Sequence, residues 1–172
     1  MDVAALRERI RDIPDFPQPG ILFRDITPLL ADPVAFKTAV ELMAAPYRAA
    51  IDLVVAIESR GFIFGAPLAY ALGVGLVPVR KLGKLPSETI QEAYVLEYGS
   101  HSLEIHRDAV QPGQRVLLVD DLLATGGTVR AAANLVEDLE GEIAGISVLA
   151  ELAELRGRDV LTKYQVTSLV VY

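Results

Sequence analysis

Apolar residues follow two periods along this chain, and together they predict an alternation of strands and helices. Continuous apolar runs are typical of parallel strands buried on both faces, and they predict strands at residues 53–57, 76–80, 116–119, 143–149 and 166–171. Apolar residues three or four positions apart predict helices within residues 3–13 and at 33–50, 62–72 and 129–139. Helices between successive strands indicate the α/β class, with a mainly parallel sheet flanked by helices.

Three segments interrupt this alternation within a single predicted domain, residues 1–172. Prolines at positions 14, 17 and 19 end the first predicted helix and indicate an ordered loop, so residues 1–32 form an N-terminal hood region. Residues 81–91 show little apolar periodicity, which is typical of a mobile loop over an active site. Alternating residues at 94–98 and 103–105 then predict a β-hairpin, so residues from about 81 to 106 form a flap and hairpin.

Residues 116–128 form the most informative segment, in which four apolar residues precede Asp120 and Asp121 and a turn of small residues follows. A buried parallel strand presents polar residues at its carboxyl end, where open α/β sheets bind ligands, so both carboxylates are predicted at the mouth of a site. The turn leaves room for backbone N–H groups to surround a phosphate at the N-terminus of the next helix. It comprises Ala124, Thr125, Gly126, Gly127 and Thr128.

This segment differs from two common phosphate-binding motifs. It has no lysine before its serine or threonine, as a Walker A loop requires. The chain also lacks the dinucleotide fingerprint, because Leu76 to Pro78 follow the Gly73-Val74-Gly75 sequence. The same residues also have a purely structural interpretation. They could form a buried strand, a turn and a helix, with two solvated aspartates and no binding site.

Composition and charge narrow the classes of function. With 172 residues, of which 52% are hydrophobic, the chain suits one domain with a full core. A formal net charge of −7 disfavours nucleic-acid binding, and the absence of cysteine excludes disulfides, thiolate catalysis and cysteine-ligated zinc. No apolar run approaches the roughly 20 residues that span a bilayer, and no secretory signal is evident. We therefore expect a cytoplasmic protein that binds neither nucleic acid nor membrane.

A polyanionic ligand would need local positive charge in so acidic a chain. Six candidates fall near predicted strand ends and loops: Arg60, Arg80, Lys81, Lys84, His106 and Arg107. Arg60 follows a strand in a tight turn, where its guanidinium can donate to a diphosphate. Each of the six could equally be a solvated surface charge, and for His106 the two interpretations have about equal weight.

As a complete string, residues 116–128 resemble the phosphoribosyl-diphosphate-binding signature of the type I phosphoribosyltransferase family. Nearly the whole chain is similar to the adenine phosphoribosyltransferases within it. The similar segments occur in the expected order and comprise residues 16–20, 23–30 (FRDITPLL), 58–65 (ESRGFIFG), 79–86 (VRKLGKLP) and 94–99 (YVLEYG). At the tip of the flap, residues 87–93 match no specific pattern.

The resemblance implies a type I phosphoribosyltransferase fold and a purine salvage reaction. Adenine and 5-phosphoribosyl 1-diphosphate would give AMP and diphosphate, with Mg²⁺ as cofactor and inversion at the anomeric carbon. No side chain would bind the metal directly; substrate oxygens and water near Asp120 and Asp121 would hold it. The family is typically homodimeric, so a homodimer is expected.

The resemblance also implies catalytic roles. Asp120 and Asp121 would bind the ribose hydroxyls, directly or through metal-bound water, and residues 124–128 would hold the 5-phosphate. Glu97 is the candidate for proton transfer on the adenine ring, and Tyr98 would close over the reacting centre beside it. A solvated glutamate on a strand is the competing interpretation of Glu97.

Adenine recognition is expected near Leu22, Phe23 and Arg24. Main-chain groups of the hood region would read the base, while Phe23 or Ile57 would supply apolar surface. Leu22 and Phe23 could instead be ordinary core residues, and Arg24 could pair with Asp25 or another acid.

Two other functions fit parts of the same pattern. A phosphoribosyltransferase for another base, such as hypoxanthine, guanine, xanthine or orotate, would keep the same sugar-diphosphate site. Residues 23–30 and 58–65 favour adenine over these. A noncatalytic nucleotide-sensing regulator on the same fold is disfavoured by the acidic balance and by the retained Arg60, Glu97 and paired aspartates.

Overall fold

The fold is described from a computed structural model, which covers residues 1–96 and 99–172 and the side chains of residues 1–94 and 101–172. The strands are β1 (Arg11–Pro14), β2 (Leu22–Asp25), β3 (Leu53–Ile57), β4 (Gly75–Lys81), β5 (Thr89–Leu96), β6 (Gly99–His106), β7 (Arg115–Leu123), β8 (Glu142–Glu151) and β9 (Val166–Val171). The helices are α1 (Val3–Arg7), α2 (Thr27–Ala31), α3 (Pro33–Ala44), α4 (Gly61–Leu72) and α5 (Gly127–Asp138). Short 3₁₀ turns lie at Ala45–Tyr47, Ala153–Leu155 and Gly157–Val160.

Seven of these strands form the central sheet, in the order β5-β6-β4-β3-β7-β8-β9. Five neighbouring strands pair in parallel, in the order β4-β3-β7-β8-β9. Helix α4 connects β3 to β4 and α5 connects β7 to β8, as parallel neighbours require. Strands β5 and β6 form an antiparallel hairpin, and β6 continues antiparallel onto β4. The mainly parallel α/β architecture and the hairpin predicted from the sequence are both confirmed.

Both faces of the sheet are buried, which explains the continuous apolar runs in its strands. In β7, Leu117 and Val119 belong to the core cluster that contains residues of α3 and α4. Val116 and Leu118 point the other way, into the cluster formed with α5. A strand covered on both sides needs apolar residues at every position rather than at alternate ones.

The N-terminal region differs from the predicted helix and loop. Helix α1 ends at Arg7, and β1 pairs antiparallel with β2, with Ile13 opposite Phe23. The Arg11 guanidinium donates to the Asp25 carboxylate at 2.6 Å from Nη2. Pairing with a strand farther along the chain satisfies the backbone groups of β1, and helical periodicity within residues 3–13 cannot show such a partner.

Other boundaries also differ from the prediction, and β5 begins at Thr89, within the segment predicted as a loop. Helix α3 ends at Ala44 rather than near residue 50, because Pro46 has no N–H to donate to a preceding carbonyl. Strand β7 continues to Leu123, so Asp120 and Asp121 lie within the strand and not after it. Asp120 pairs with Val148 of β8, which extends the ladder into the site.

Candidate active site

A cavity of about 320 Å³ opens at the carboxyl ends of β3, β4 and β7. Strand β3 continues through α4 to β4 on one side, and its neighbour β7 continues through α5 to β8 on the other, so the connections after these two adjacent strands diverge. Open α/β sheets bind ligands at such a point, because the diverging connections leave a crevice there. The cavity is lined by Glu58, Ser59, Arg60, Lys81, Tyr94, Asp120, Asp121, Leu122, Leu123, Ala124, Thr125, Gly126, Gly127, Thr128 and Val129.

The loop at residues 124–128 carries the chain from β7 into α5, which begins at Gly127. Gly126 has a φ of 83°, and a Cβ placed there would lie 2.5 Å from the Gly157 carbonyl oxygen. Gly157 in turn has room for no Cβ, since one would lie 2.3 Å from the Ala124 carbonyl oxygen. The two glycines therefore let the 3₁₀ turn at Gly157–Val160 support the loop from behind. The exposed N–H groups at the start of α5 favour an anion in front of it.

Two carboxylates and one guanidinium form the floor of the cavity. Arg60 Nε lies 3.0 Å from Asp121 Oδ2, and the Asp121 side chain is only 7% exposed. The backbone N–H of Asp121 donates to Asp120 Oδ1 at 2.9 Å. Gly61 permits this approach, because a Cβ on it would lie 2.8 Å from the Val119 carbonyl oxygen and 3.0 Å from Asp120 Oδ1.

The electrostatics of this floor are unbalanced. Burial raises the pKa of Asp120 well above its ordinary value, and the adjacent Asp121 carboxylate raises it further. Burial also raises the pKa of Asp121, against the opposing effect of the Arg60 guanidinium. One guanidinium faces two carboxylates, so the floor favours an additional cation or a ligand that develops positive charge.

Acidic Glu58 organises the basic residues beside the cavity. Its Oε2 accepts the backbone N–H of Lys81 at 2.9 Å, and both carboxylate oxygens lie 3.3 Å from nitrogens of Arg80. Arg80 also donates to the Lys84 carbonyl oxygen at 3.2 Å. Lys81 thus lines the cavity, whereas Arg80 and Lys84 lie outside its lining. The peptide bond between Glu58 and Ser59 is cis.

The hood residues lie near the cavity without lining it. The Arg60 guanidinium carbon is 5.5 Å from the centroid of the Phe23 ring, so β2 borders the site through Phe23. Arg24 pairs with Asp12 and stacks on Tyr172, with 3.8 Å between its guanidinium carbon and the ring centroid. Leu22 is 44% exposed and is not an ordinary core residue.

Of the residues predicted from the sequence, the cavity brings together Arg60, Lys81, both aspartates and the whole loop at residues 124–128. His106 ends β6 outside the lining, and its Nε2 is buried with no hydrogen-bond partner among the described residues. Glu97 and Tyr98 lie outside the described residues.

Sequence reasoning did not assign a role to several residues that line the cavity. Glu58 and Ser59 begin the segment at residues 58–65, which is similar to the family. Glu58 could have been found from the sequence, because it is an acid directly after a buried strand. Tyr94 reaches the cavity from β5 only because the hairpin folds back over α5, which the local sequence does not show. Leu122, Leu123 and Val129 complete the lining as neighbours of the predicted residues.

No group of three or more acidic, histidine or cysteine side chains that could hold a metal occurs in residues 1–96 and 99–172. Over the same ranges, no helix is both long and apolar enough to cross a bilayer. The paired aspartates offer oxygen atoms, which suit Mg²⁺, but too few for a complete coordination sphere. They fit a metal that brings most of its ligands from substrate and water.

Comparison with known proteins agrees with this geometry. The family model for the phosphoribosyl transferase domain matches residues 27–171. The chain is 57% identical to the adenine phosphoribosyltransferase of Clostridium perfringens strain 13 over 169 residues, with 98% of each chain covered. It is 55% identical to that of Thermobifida fusca over 170 residues, covering 98% of this chain and 97% of the relative.

Solved structures give the same result. The crystal structure of adenine phosphoribosyltransferase from Thermoanaerobacter pseudethanolicus superimposes with a TM-score of 0.96 at 55% identity, covering 99% of both chains. The Saccharomyces cerevisiae enzyme, solved with adenine and an imino-altritol bisphosphate, superimposes with a TM-score of 0.93 at 42% identity, covering 97% of both chains.

Proposed function

The chain belongs to the phosphoribosyltransferase family, and from this premise we propose that it is a purine salvage enzyme that converts adenine and 5-phosphoribosyl 1-diphosphate to AMP and diphosphate. One observation carries the proposal: a glycine-supported loop at a helix N-terminus and the adjacent Asp120 and Asp121 line the same cavity at the carboxyl ends of the strands. These are the groups that a phosphorylated ribose requires. The relatives named above supply the choice of adenine as the base.

The loop at residues 124–128 binds the 5-phosphate of the ribose in this proposal. Its backbone N–H groups and the Thr125 and Thr128 hydroxyls can donate to phosphate oxygens. The left-handed backbone at Gly126 directs the loop around the anion, as in other concave arrangements of successive N–H groups. The remaining contacts then have a fixed reference point on the substrate.

Asp120 and Asp121 bind the ribose hydroxyls and face the developing charge. Cleavage of the bond to diphosphate creates positive charge on the ribose ring. The two carboxylates can stabilise this charge, because a nearby cation offsets the burial that raises their pKa values. Mg²⁺, when bound near this pair, neutralises negative charge on the diphosphate. The pair would hold it through water and substrate oxygens.

Arg60 and Lys81 bind the leaving diphosphate, since both line the cavity beside the aspartate pair. Arg60 offers a planar set of donors that suits phosphate oxygens, and at 40% side-chain exposure it can still reach a ligand. Arg80 and Lys84 contribute positive charge from outside the lining. We leave His106 out of the binding set, because it does not line the cavity.

The base lies beside β2, where Phe23 borders the site next to Arg60. Main-chain groups of Leu22 and Arg24 read the edge of adenine, while the Arg24 side chain is engaged with Asp12 and Tyr172. An in-line arrangement of base, ribose and diphosphate brings the reacting atoms together and favours inversion.

Glu97 and Tyr98 are proposed from the sequence resemblance. Glu97 transfers a proton on the adenine ring, and Tyr98 helps to exclude water that would hydrolyse the activated sugar. Both positions follow the described part of β5, whose Tyr94 lines the cavity.

The direct test is an assay of the purified protein with 5-phosphoribosyl 1-diphosphate and Mg²⁺, offered adenine, hypoxanthine, guanine and orotate in parallel. We expect AMP and diphosphate from adenine and much slower turnover of the other bases. Preference for another base would overturn the adenine assignment while keeping the sugar-diphosphate site. Binding of the sugar diphosphate without turnover of any base would favour a noncatalytic sensor.

We further propose a cytoplasmic homodimer. Ile63 and Tyr70 lie seven residues apart on one face of α4, and Tyr70 is 90% exposed. The two side chains therefore form an apolar surface suited to a second copy. Light scattering of the wild type and of Tyr70→Asp tests this, with a dimer and a monomer as the expected masses. A monomeric wild type would contradict it.

A further inference from the structure

One buried carboxylate, that of Glu104 on β6, has no part in the proposed reaction. Glu104 is 3% exposed and lies between the buried residues Leu103 and Ile105. A buried ion needs polar partners, because its removal from water costs several kcal/mol. Glu104 lies opposite Arg80 in the antiparallel pairing of β4 with β6, so it reaches the same face of the sheet as Arg80.

Residues 82–88 connect β4 to β5 and are here called the β4–β5 turn. The hydrogen-bond partners of Glu104 lie in this turn and at Thr89, the first residue of β5. Oε1 accepts the backbone N–H groups of Lys84 and Leu85, both at 2.8 Å, and Oε2 lies 3.4 Å from the Thr89 hydroxyl. Burial raises the pKa of Glu104, but N–H donation from Leu85, Lys84 and Gly83 outweighs it and lowers the pKa overall. The carboxyl group is therefore ionised at neutral pH.

A second acid holds the beginning of the same turn. Glu58 accepts the Lys81 N–H at 2.9 Å, directly before the turn, and bonds to Arg80. Arg80 also donates to the Lys84 carbonyl oxygen, which links the two ends. The turn is thus fixed on one side by a residue of the cavity wall and on the other by Glu104.

We propose that Glu104 is a positioning residue for diphosphate binding, which fixes the β4–β5 turn so that Lys81 stays at the cavity wall before substrate arrives. This inference rests on the proposed function. Ordering a flexible turn at the moment of binding weakens affinity, and a turn that is already ordered avoids this loss. If the turn left its place, the two N–H groups would lose their acceptor. The buried Glu104 carboxylate would lose its partners at the same time, which makes this movement costly.

Two substitutions separate hydrogen bonding from packing. Glu104→Gln keeps an oxygen that can accept both N–H groups, whereas Glu104→Leu keeps the approximate size and removes the acceptor. We expect the KM for 5-phosphoribosyl 1-diphosphate to rise about tenfold in the leucine variant, as for loss of hydrogen bonds to a charged group. The KM for adenine should stay within about twofold, and the glutamine variant should stay close to wild type for both substrates.

Asp52 provides the control, because it also accepts a backbone N–H, that of Arg115 at 2.9 Å, but at the amino ends of β3 and β7, away from the cavity. Asp52→Leu should lower the melting temperature without changing either KM. A folded leucine variant of Glu104 with unchanged KM for the sugar diphosphate, or with both KM values raised equally, would overturn the proposal. So would a glutamine variant as impaired as the leucine variant.

Amide hydrogen exchange on the wild type tests the inference without any substitution, should the leucine variant fail to fold. The Lys84 and Leu85 N–H groups should be protected in the free enzyme, and rapid exchange there would refute the positioning role. A wild type that is inactive with adenine but shows this protection would refute the proposed function alone.

Discussion

The two walls of the cavity are built in different ways. The continuous wall, residues 120–129, is one stretch of chain that runs from β7 through the loop into α5. The assembled wall, residues 58–60, 81 and 94, comes from three places along the chain. Backbone pairing and glycine contacts hold the continuous wall, whereas ion pairs such as that between Glu58 and Arg80 hold the assembled wall.

This difference indicates how the two walls divide the proposed reaction. In the proposed reaction, the continuous wall would bind the phosphorylated ribose, which becomes part of the product AMP. The assembled wall would bind the diphosphate that must leave, and its supports are side chains, which rearrange more readily than a buried backbone ladder. Substitutions in the two walls should therefore affect different kinetic constants.

The largest expected effect lies in the continuous wall. Replacing Asp120 and Asp121 together with asparagine should lower kcat by about 10³-fold, because it removes the charge that stabilises the developing cation. The melting temperature should stay equal or rise, since the change relieves repulsion between two buried carboxylates. Steady-state kinetics and a thermal melt check both. Turnover within tenfold of wild type would exclude the proposed role.

Gly126→Ala tests the support of the loop. A Cβ would meet the Gly157 carbonyl oxygen at 2.5 Å, at a φ of 83°. We expect the free energy of unfolding to fall by about 2 kcal/mol and the KM for the sugar diphosphate to rise about tenfold. Denaturant unfolding and kinetics measure these.

The matched control for that variant is Gly73→Ala, at the C-terminus of α4. Gly73 has a similar φ of 70°, but no atom lies within 4 Å of the position of its Cβ. The free energy of unfolding of this variant should fall by about 1 kcal/mol through backbone strain, and the KM for the sugar diphosphate should stay at the wild-type value. An equal rise in KM for both variants would show that the contact with Gly157 does not shape the site.

In the assembled wall, Arg60→Ala should weaken binding of the sugar diphosphate about tenfold, equivalent to about 1.4 kcal/mol, and leave Asp121 without its cation. Titration calorimetry with the sugar diphosphate measures the loss. Arg60→Lys keeps the charge but loses the planar donor set, so it should recover only part of the affinity. Unchanged affinity in the alanine variant would assign Arg60 to the ordinary surface charges.

The smallest effect is expected away from both walls, at the pair of Asp52 and Arg115. Hydrogen bonds from Arg115 lower the pKa of Asp52 from 3.8 to about 2. Because the folded-state pKa lies below the unfolded one, the pair contributes stability above pH 3.8 that is lost as the pH falls toward 2. In the Asp52→Asn variant, the free energy of unfolding should depend less on pH between 3.8 and 2, as measured by denaturant unfolding at several pH values. Its kcat and KM at neutral pH should be unchanged. A steep acid-side profile retained in the variant would contradict the assignment.

The same contrast explains which parts of the site could be predicted from the sequence. Residues 116–128 carry their information locally, since a buried strand, two acids and a turn of small residues are consecutive. The pairing of β1 with β2 could not be predicted in this way, because the partner of Ile13 is Phe23, across a loop rich in proline. Helical periodicity therefore predicted α1 but was misleading beyond Arg7.

Single residues show the same limit. In the sequence, Glu104 resembles any polar residue in an alternating strand. In the structure it is buried, because β6 lies between β4 and β5 and the β4–β5 turn covers its carboxylate. Gly157 lies outside the motif segments named from the sequence, and its importance appears only where its backbone meets Ala124. Contacts between distant segments are set by packing, which no local pattern encodes.

The sequence by itself determined the α/β class, the mainly parallel sheet, the turn of small residues at 124–128 and the aspartate pair before it, because periodicity and turn chemistry are local properties. Only the tertiary structure decided which cations line the cavity, that Arg60 meets Asp121, and that Glu58 and Glu104 hold the β4–β5 turn. A long side chain such as Arg or Glu is free in the unfolded chain, and its partner is selected only when strands distant in sequence come together and exclude water.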